Sequence, residues 1–333
     1  MGLFKGRASP AVFVTNQLSG KSSEEIFQAV VGKAFAPLQR ENGEFFKYGW
    51  VEPLAPHRVP TSHPSIGLSS TCMLRIDAVN VDRAKVKMEF QRMRETYEQE
   101  AGHRPTKDVV ADLKEQAFLM VRATAPVGTK LIEVLIVPGK DRDLVFAQPV
   151  PGSLLSTVHE AISDTFRIDL TPLTLSSEIS DWGVAAETTE KEAHEDLMGS
   201  MARWLNSGEA RLPENVEWVE MRGTMKAVAQ LDTVSVVADD IEGTTSFRLL
   251  EDDDYAITTF GADIGVSGFT ANVVFSLPGW TMKKIGFGRP ASKDWNEIVE
   301  DRALKLYSLS TTVTNFSSSS CCAHRSPQSN PTR

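Results

Sequence analysis

The stretch 81–125 reads VDRAKVKMEFQRMRETYEQEAGHRPTKDVVADLKEQAFLMVRATA, and its periodicity sets the central part of the fold. Val86, Phe90, Met93 and Tyr97 recur at i, i+4, i+7 and i+11, which puts one apolar stripe on a helix. Gly102 and Pro105 interrupt that pattern. A second helix opens at Thr106, an N-cap residue type, with Asp108 where a carboxylate meets the helix dipole favourably. Its stripe is Val109, Leu113, Ala117 and Met120. Two amphipathic helices around a short Gly/Pro break predict a helical hairpin. The outer faces carry Arg83, Lys87, Arg92, Arg94, Arg104, Lys107 and Lys114, interleaved with Glu and Asp. Two readings fit those cations: a solvated face laced with ion pairs, or a surface that meets phosphates.

On the N-terminal side, Val12, Phe13 and Val14 read as strand. Ser22 and Glu25 stand at capping-box spacing, ahead of Ile26, Phe27, Val30, Val31 and Ala34 at helical spacing. Residues 45–66, rich in Pro and His, read as irregular connection, and Leu68 to Ala78 as strand. Beyond the hairpin, Lys130–Val137 and Leu144–Gln148 read as paired strands. Pro151–Phe166 reads as a helix with Leu154, Leu155, Val158 and Ile162 inward, and Ile168–Leu175 as a returning strand. A helix is expected over about Glu190–Leu205, then strands at 232–238, 244–250, 256–260 and 270–277, and a last helix from Trp295 to Leu306. The class is α+β with mixed sheets. Expected parts are an N-terminal α+β part (1–80), the finger-like hairpin (81–125), a ββαβ unit (126–180), an acidic helix with a β-rich C-terminal part (181–310), and a disordered tail (317–333).

The net charge is −9, but residues 181–254 hold 18 acidic and 6 basic side chains, which leaves the rest slightly basic. One surface could therefore face phosphates while another keeps the protein soluble. The longest apolar run, Leu131–Val137, is broken by Glu133 and is far short of the ~20 residues a bilayer needs. The opening MGLFKGRASP shows no apolar signal core, so a cytoplasmic chain is expected. Cys72 stands alone, and Cys321–Cys322 sit in the Ser-rich tail, which makes neither a disulfide framework nor a zinc site.

Enzymatic signatures are missing. The six histidines form no i,i+4 pair and no HExxH, and there is no P-loop, GxGxxG or GxSxG. In Gly286-Phe287-Gly288-Arg289-Pro290 the proline blocks a phosphate-cradling helix start. The runs Asp239-Asp240 and Asp252-Asp253-Asp254 point apart rather than converge on a metal. A non-enzymatic protein without cofactor or metal is expected.

Six short segments, taken in order, carry a family likeness. They are Leu3-Phe4-Lys5-Gly6, Ala34-Phe35-Ala36-Pro37, Gly49-Trp50-Val51-Glu52-Pro53, the hairpin break Glu100-Ala101-Gly102-His103-Arg104-Pro105, Trp204-Leu205-Asn206-Ser207-Gly208 and Met282-Lys283-Lys284-Ile285-Gly286-Phe287. Over about residues 2–310 the chain resembles the recombination-associated RdgC proteins of bacteria and phages. The resemblance implies a ring-shaped homodimer that encircles double-stranded DNA without sequence preference. It also implies nucleoid association and modulation of recombination by hindering RecA-promoted strand exchange. Carried over by position, Lys283 and Lys284 would line the hole, with Arg122 at the end of the second hairpin helix and Lys130 entering the next strand. Two positions depart from the pattern. Thr124 stands where many relatives have a DNA-contacting Phe, so the wedge is either absent or supplied by Phe118, and Val237-Ala238-Asp239-Asp240-Ile241 lacks the usual cation. Alternatives are an interaction module whose acidic 181–254 region binds a basic partner, a host recombinase for one, or mimics DNA, and a DNA-processing nuclease.

Overall fold

The computed structural model describes residues 2–4, 6–61, 65–66, 69–139, 142–173, 216–229, 232–238, 256–276 and 281–324. In chain order these form β1 (Ala11–Thr15), α1 (Ser23–Gly32), β2 (Phe46–Val51), β3 (Ser65–Ile66), β4 (Ser69–Val79), α2 (Arg83–Ala101) and α3 (Lys107–Thr124). There follow β5 (Val127–Val137), β6 (Asp143–Ala147), α4 (Gly152–Phe166), β7 (Thr171–Pro172), β8 (Val216–Ala229), β9 (Asp232–Ala238), β10 (Ala256–Val266), β11 (Phe269–Ser276), β12 (Thr281–Gly286) and α5 (Trp295–His324). The class is α+β as expected, but the two sheets are antiparallel rather than mixed. The helix expected over Glu190–Leu205, the Trp204–Gly208 motif, the strand at 244–250 and both Asp runs lie outside the described residues. The chain divides into two compact units that do not follow consecutive segments: Met1–Phe27, His63–Thr71 and Glu133–Arg333 form one, Gln28–Ser62 and Cys72–Ile132 the other.

In the first unit, β1, β6 and the end of β5 pair antiparallel, Phe13 opposite Val145 and Val134 opposite Ala147. Alternate residues serve two faces. Phe13, Val134, Ile136 and Val145 are buried on one, the side of α4, where the His159 ring meets Phe13 edge-on at 5.7 Å. Leu135, Val137, Leu144 and Phe146 are buried on the other, in a cluster with Met221, Phe260, Phe275 and Met282 of the second sheet and Val299, Ala303, Leu306 and Leu309 of α5. Burial on both faces is why these strands read as almost unbroken apolar runs. The second sheet has the order β12-β11-β10-β8-β9. Asp143 is fully buried, yet its carboxylate accepts from the backbone amides of Leu18 (2.8 Å), Ser19 (2.9 Å) and Gly139 (3.2 Å), which offsets its desolvation. Arg302 is a buried cation over the Phe287 ring at 5.1 Å, with its Nη1 unpartnered, and burial lowers its pKa despite the neighbouring Asp301 charge.

The second unit contains a strand that composition hides. Residues 45–66 read as irregular, whereas β2 pairs with β4 in register, Trp50 opposite Leu74. The concealing residue is Gly49, a poor strand former that this site requires. A Cβ there would come within 2.5 Å of the Phe35 Cα, because the Phe35 amide donates to the Trp50 carbonyl at 2.8 Å and the Trp50 amide to the Lys33 carbonyl at 3.0 Å. On β4, Arg75 and Asp77 share a face and form a two-pronged pair (2.9 and 2.8 Å), with the Thr129 hydroxyl donating to Asp77 at 2.8 Å. Burial pushes the Asp77 carboxyl up, but the Arg75 and Thr129 hydrogen bonds and the Arg75 charge hold it below the usual carboxylate range. Burial pushes the Cys72 thiol up to about 12, so it is an inert core residue.

Two further differences concern the ends of elements. Of the strand expected over Ile168–Leu175, the described residues form Thr171–Pro172 on the edge beside β1, with the Leu173 amide donating to the Val12 carbonyl at 2.8 Å, and 174–175 lie outside the described residues. The last helix runs beyond Leu306 to His324, through residues 317–324 for which no order is expected. No Gly or Pro falls between Trp295 and His324, and lengthening a helix costs far less than starting one.

Candidate nucleic-acid interface

The cations singled out between Arg83 and Lys130 all belong to the second unit, on α2, α3, the turn between them and β5. Helix α2 starts at Asp82, whose carboxylate accepts from the amides of Ala84 (2.8 Å) and Lys85 (3.4 Å). It stops at Gly102, left-handed at φ 69°, whose amide donates to the Glu98 carbonyl at 3.1 Å. Thr106 occupies the N-cap of α3 without a side-chain cap bond, so Asp108 in the first turn is what complements the helix dipole. At its other end Arg40 donates to the carbonyls of Ala123 and Ala125, placing a cation on the negative end of the dipole. The Asn80 amide donates to the Pro126 carbonyl at 2.9 Å and closes the base.

The two helices bury very little. Helix α2 has no buried residue and α3 only Ala117. Val86, Phe90, Met93, Tyr97, Val109 and Leu113 are half-buried, as expected for stripes that have only each other, while Met120 is 50% and Met88 73% exposed. The pair is an arm whose sides are largely exposed.

Its cations fall into distinct sets. Arg92 bonds Glu89 (Nε–Oε1 3.1 Å) and Arg94 bonds Glu98 (2.9 Å), the solvated pairing that helical spacing allows. The Arg92 bond holds the Glu89 carboxyl below its ordinary range. Lys114 lies over the Phe90 ring at 5.6 Å, linking the two helices. Arg83, Lys87, Arg104 and Lys107 are exposed and have no ion-pair partner among the described residues, and the same holds for Lys85 and for Lys130 on β5. Arg122 differs from all of these. It is half-buried, its guanidinium stacked 3.6 Å from the Phe45 ring centre and 5.5 Å from that of Phe118, with Nε unpartnered. It is a packed cation that orders the end of α3, next to a partly exposed Phe118.

Lys283 and Lys284 lie in the first unit, both exposed on β12. Lys283 Nζ donates to the Ser276 hydroxyl at 3.2 Å. Lys284 sits in an irregularity of the β11–β12 ladder at φ 54°, a region L residues rarely adopt, and its amide donates to the Ser9 hydroxyl at 2.9 Å. The sequence reading passed over Arg7 and Arg222, which line one groove with Lys284. No local signal marks them, since they come from segments more than 200 residues apart.

Among the described residues no group of three or more His, Cys, Asp or Glu could hold a metal, and no helix is long and apolar enough to cross a membrane. The chain matches no known protein-family model and no curated protein.

Proposed function

We propose that this protein is a non-enzymatic binder of duplex DNA, without sequence preference, that acts as a ring-shaped RdgC-type homodimer and hinders RecA-promoted strand exchange. The observation that carries the reading is the α2–α3 arm. Five exposed cations on it, Arg83, Lys85, Lys87, Arg104 and Lys107, have no ion-pair partner among the described residues. Cations held on a polar helical surface neutralise phosphates and release counterions, which favours any sequence equally. Two exposed lysines on β12, Lys283 and Lys284, add to the supply. The ring, the dimer and the recombination context rest on the resemblance of six short segments, in their sequence order, to RdgC proteins, and a closed dimer needs self-complementary patches on each subunit.

The test is binding to an unrelated linear duplex across a salt series, with the mass in solution measured alongside. A dimer whose log K falls steeply with log salt is expected. A protein that fails to bind at low salt overturns the reading. Lys283→Glu with Lys284→Glu should weaken binding at least tenfold while the melting temperature holds, because exposed charges contribute little to stability. Unchanged binding would remove β12 from the interface.

A further inference from the structure

Two ladder irregularities meet on the outer face of the second sheet. In the β8–β10 pair, Met225 stands opposite Phe260 and Met221 opposite Ala262, so the three residues Arg222, Gly223 and Thr224 face Gly261 alone. Gly223 takes φ 86°, and a Cβ on Gly261 would come within 2.3 Å of the Arg222 carbonyl oxygen. In the β11–β12 pair, Asn272 stands opposite Gly286 and Val274 opposite Lys283, which leaves an extra residue on β12 with Lys284 in the left-handed region. A bulge bends its strand and re-aims its side chains. Here the bulges flank an open groove of about 300 Å³ that is lined by residues of both.

The lining carries three cations, Arg7, Arg222 and Lys284, against one carboxylate, Asp263. That carboxylate is occupied already. The Asn272 side-chain amide donates to its Oδ1, and Arg222 Nη1 lies 3.7 Å from Oδ2 while Nη2 holds Glu220 at 2.7 Å. Arg7 and Lys284 have no ion-pair partner among the described residues. Lys284 also keeps a backbone conformation that a glycine would adopt without strain, the kind of local penalty found where a side chain is needed in place. The groove is open, and at about 300 Å³ it is large enough for a tetrahedral anion.

The geometry points to a binding site for one phosphate group, held between Arg222 on one wall and Arg7 and Lys284 on the other. If duplex DNA is the ligand, as proposed above, the group is a backbone phosphodiester; a free phosphate is the other source of the same chemistry. The test is titration of the full-length protein with inorganic phosphate, followed by backbone amide resonances. Those of Gly223, Gly261 and Lys284 are expected to shift together. The shifts should vanish in Arg7→Ala/Arg222→Ala and occur at lower phosphate in Asp263→Asn, which removes the opposing charge. Lys284→Gly should weaken phosphate binding with the melting temperature unchanged or raised, an outcome that a purely structural lysine would not give. On duplex DNA the Arg7→Ala/Arg222→Ala variant should make the salt slope shallower by about 0.9, the value of one phosphate contact. An unchanged slope with intact phosphate shifts assigns the site to a free phosphate. A wild type that binds no duplex removes the DNA reading, and the phosphate titration still judges the groove. Amide resonances that stay in place up to tens of millimolar phosphate, with an unchanged duplex slope, overturn the site.

Discussion

The layered strands of the first unit and the α2–α3 arm of the second are held together in opposite ways. In the strands, Phe146, Phe260 and Leu135 are fully enclosed, and each residue packs against several elements far away in sequence. In the arm only Ala117 is buried, and its order comes from the Asp82 cap, the Gly102 stop, helical ion pairs and one neighbouring helix. Burial scales with apolar area removed from water, so the layered core supplies most of the cooperative stability. The arm draws on small local terms and should open at lower free energy than the core. Cations can therefore be spread along the arm at little cost to folding, while the core tolerates almost no change.

The largest effect that would test this contrast is Phe260→Ala. Its ring packs at 5.0 Å from Phe275, and the loss should be about 3–5 kcal/mol in urea unfolding, against less than about 2 kcal/mol for the truncation of half-buried Met93→Ala on the arm. Equal losses would mean that the arm belongs to the same cooperative core. Next comes Asp77→Asn, expected to remove about 1–3 kcal/mol at neutral pH by breaking the Arg75 pair. The folded carboxyl titrates below its unfolded value, so its contribution is complete above pH ~4 and is lost as pH falls through the folded pKa. The variant should lack that part of the acid transition, and an unchanged transition would place the acid sensitivity elsewhere.

Arg302→Met works in the opposite direction. An enclosed guanidinium whose Nη1 has no hydrogen-bond partner regains only part of its hydration from the Phe287 ring and the Asp301 charge, so the substitution should stabilise the first unit by about 1–3 kcal/mol. Destabilisation would show that the contact with Phe287 outweighs the burial cost. The smallest effect is on the arm: Gly102→Ala, forced to φ 69°, should cost about 1 kcal/mol. Hydrogen exchange should speed up in α2 and α3 and stay unchanged in β6 and β10 if the arm opens independently.

How much of this was legible follows the range of the interactions. The hairpin and the Ser22–Glu25 capping box could be read directly, and the box forms as expected, with the Ser22 amide to Glu25 at 2.7 Å and the Glu25 amide to the Ser22 hydroxyl at 3.2 Å. Strands β5 and β6 and helix α4 were legible from apolar content and periodicity. Strand β2 was not, because Gly49 answers to the backbone of Phe35 rather than to its neighbours in sequence. Among the candidate contacts, charge and helical spacing marked the arm, but not that Arg92 and Arg94 would be taken by glutamates or Arg122 by Phe45.

By itself the sequence determined the elements whose causes lie within a turn or two of chain: the amphipathic arm, its break at Gly102, its cations and the apolar strands. Tertiary structure alone decided which of those cations have no ion-pair partner among the described residues, that Asp143 and Arg302 are buried, and that Arg7, Arg222 and Lys284 share one groove. The reason is physical. Helix periodicity and capping act over three or four residues, whereas burial and convergence depend on strand register between segments hundreds of residues apart.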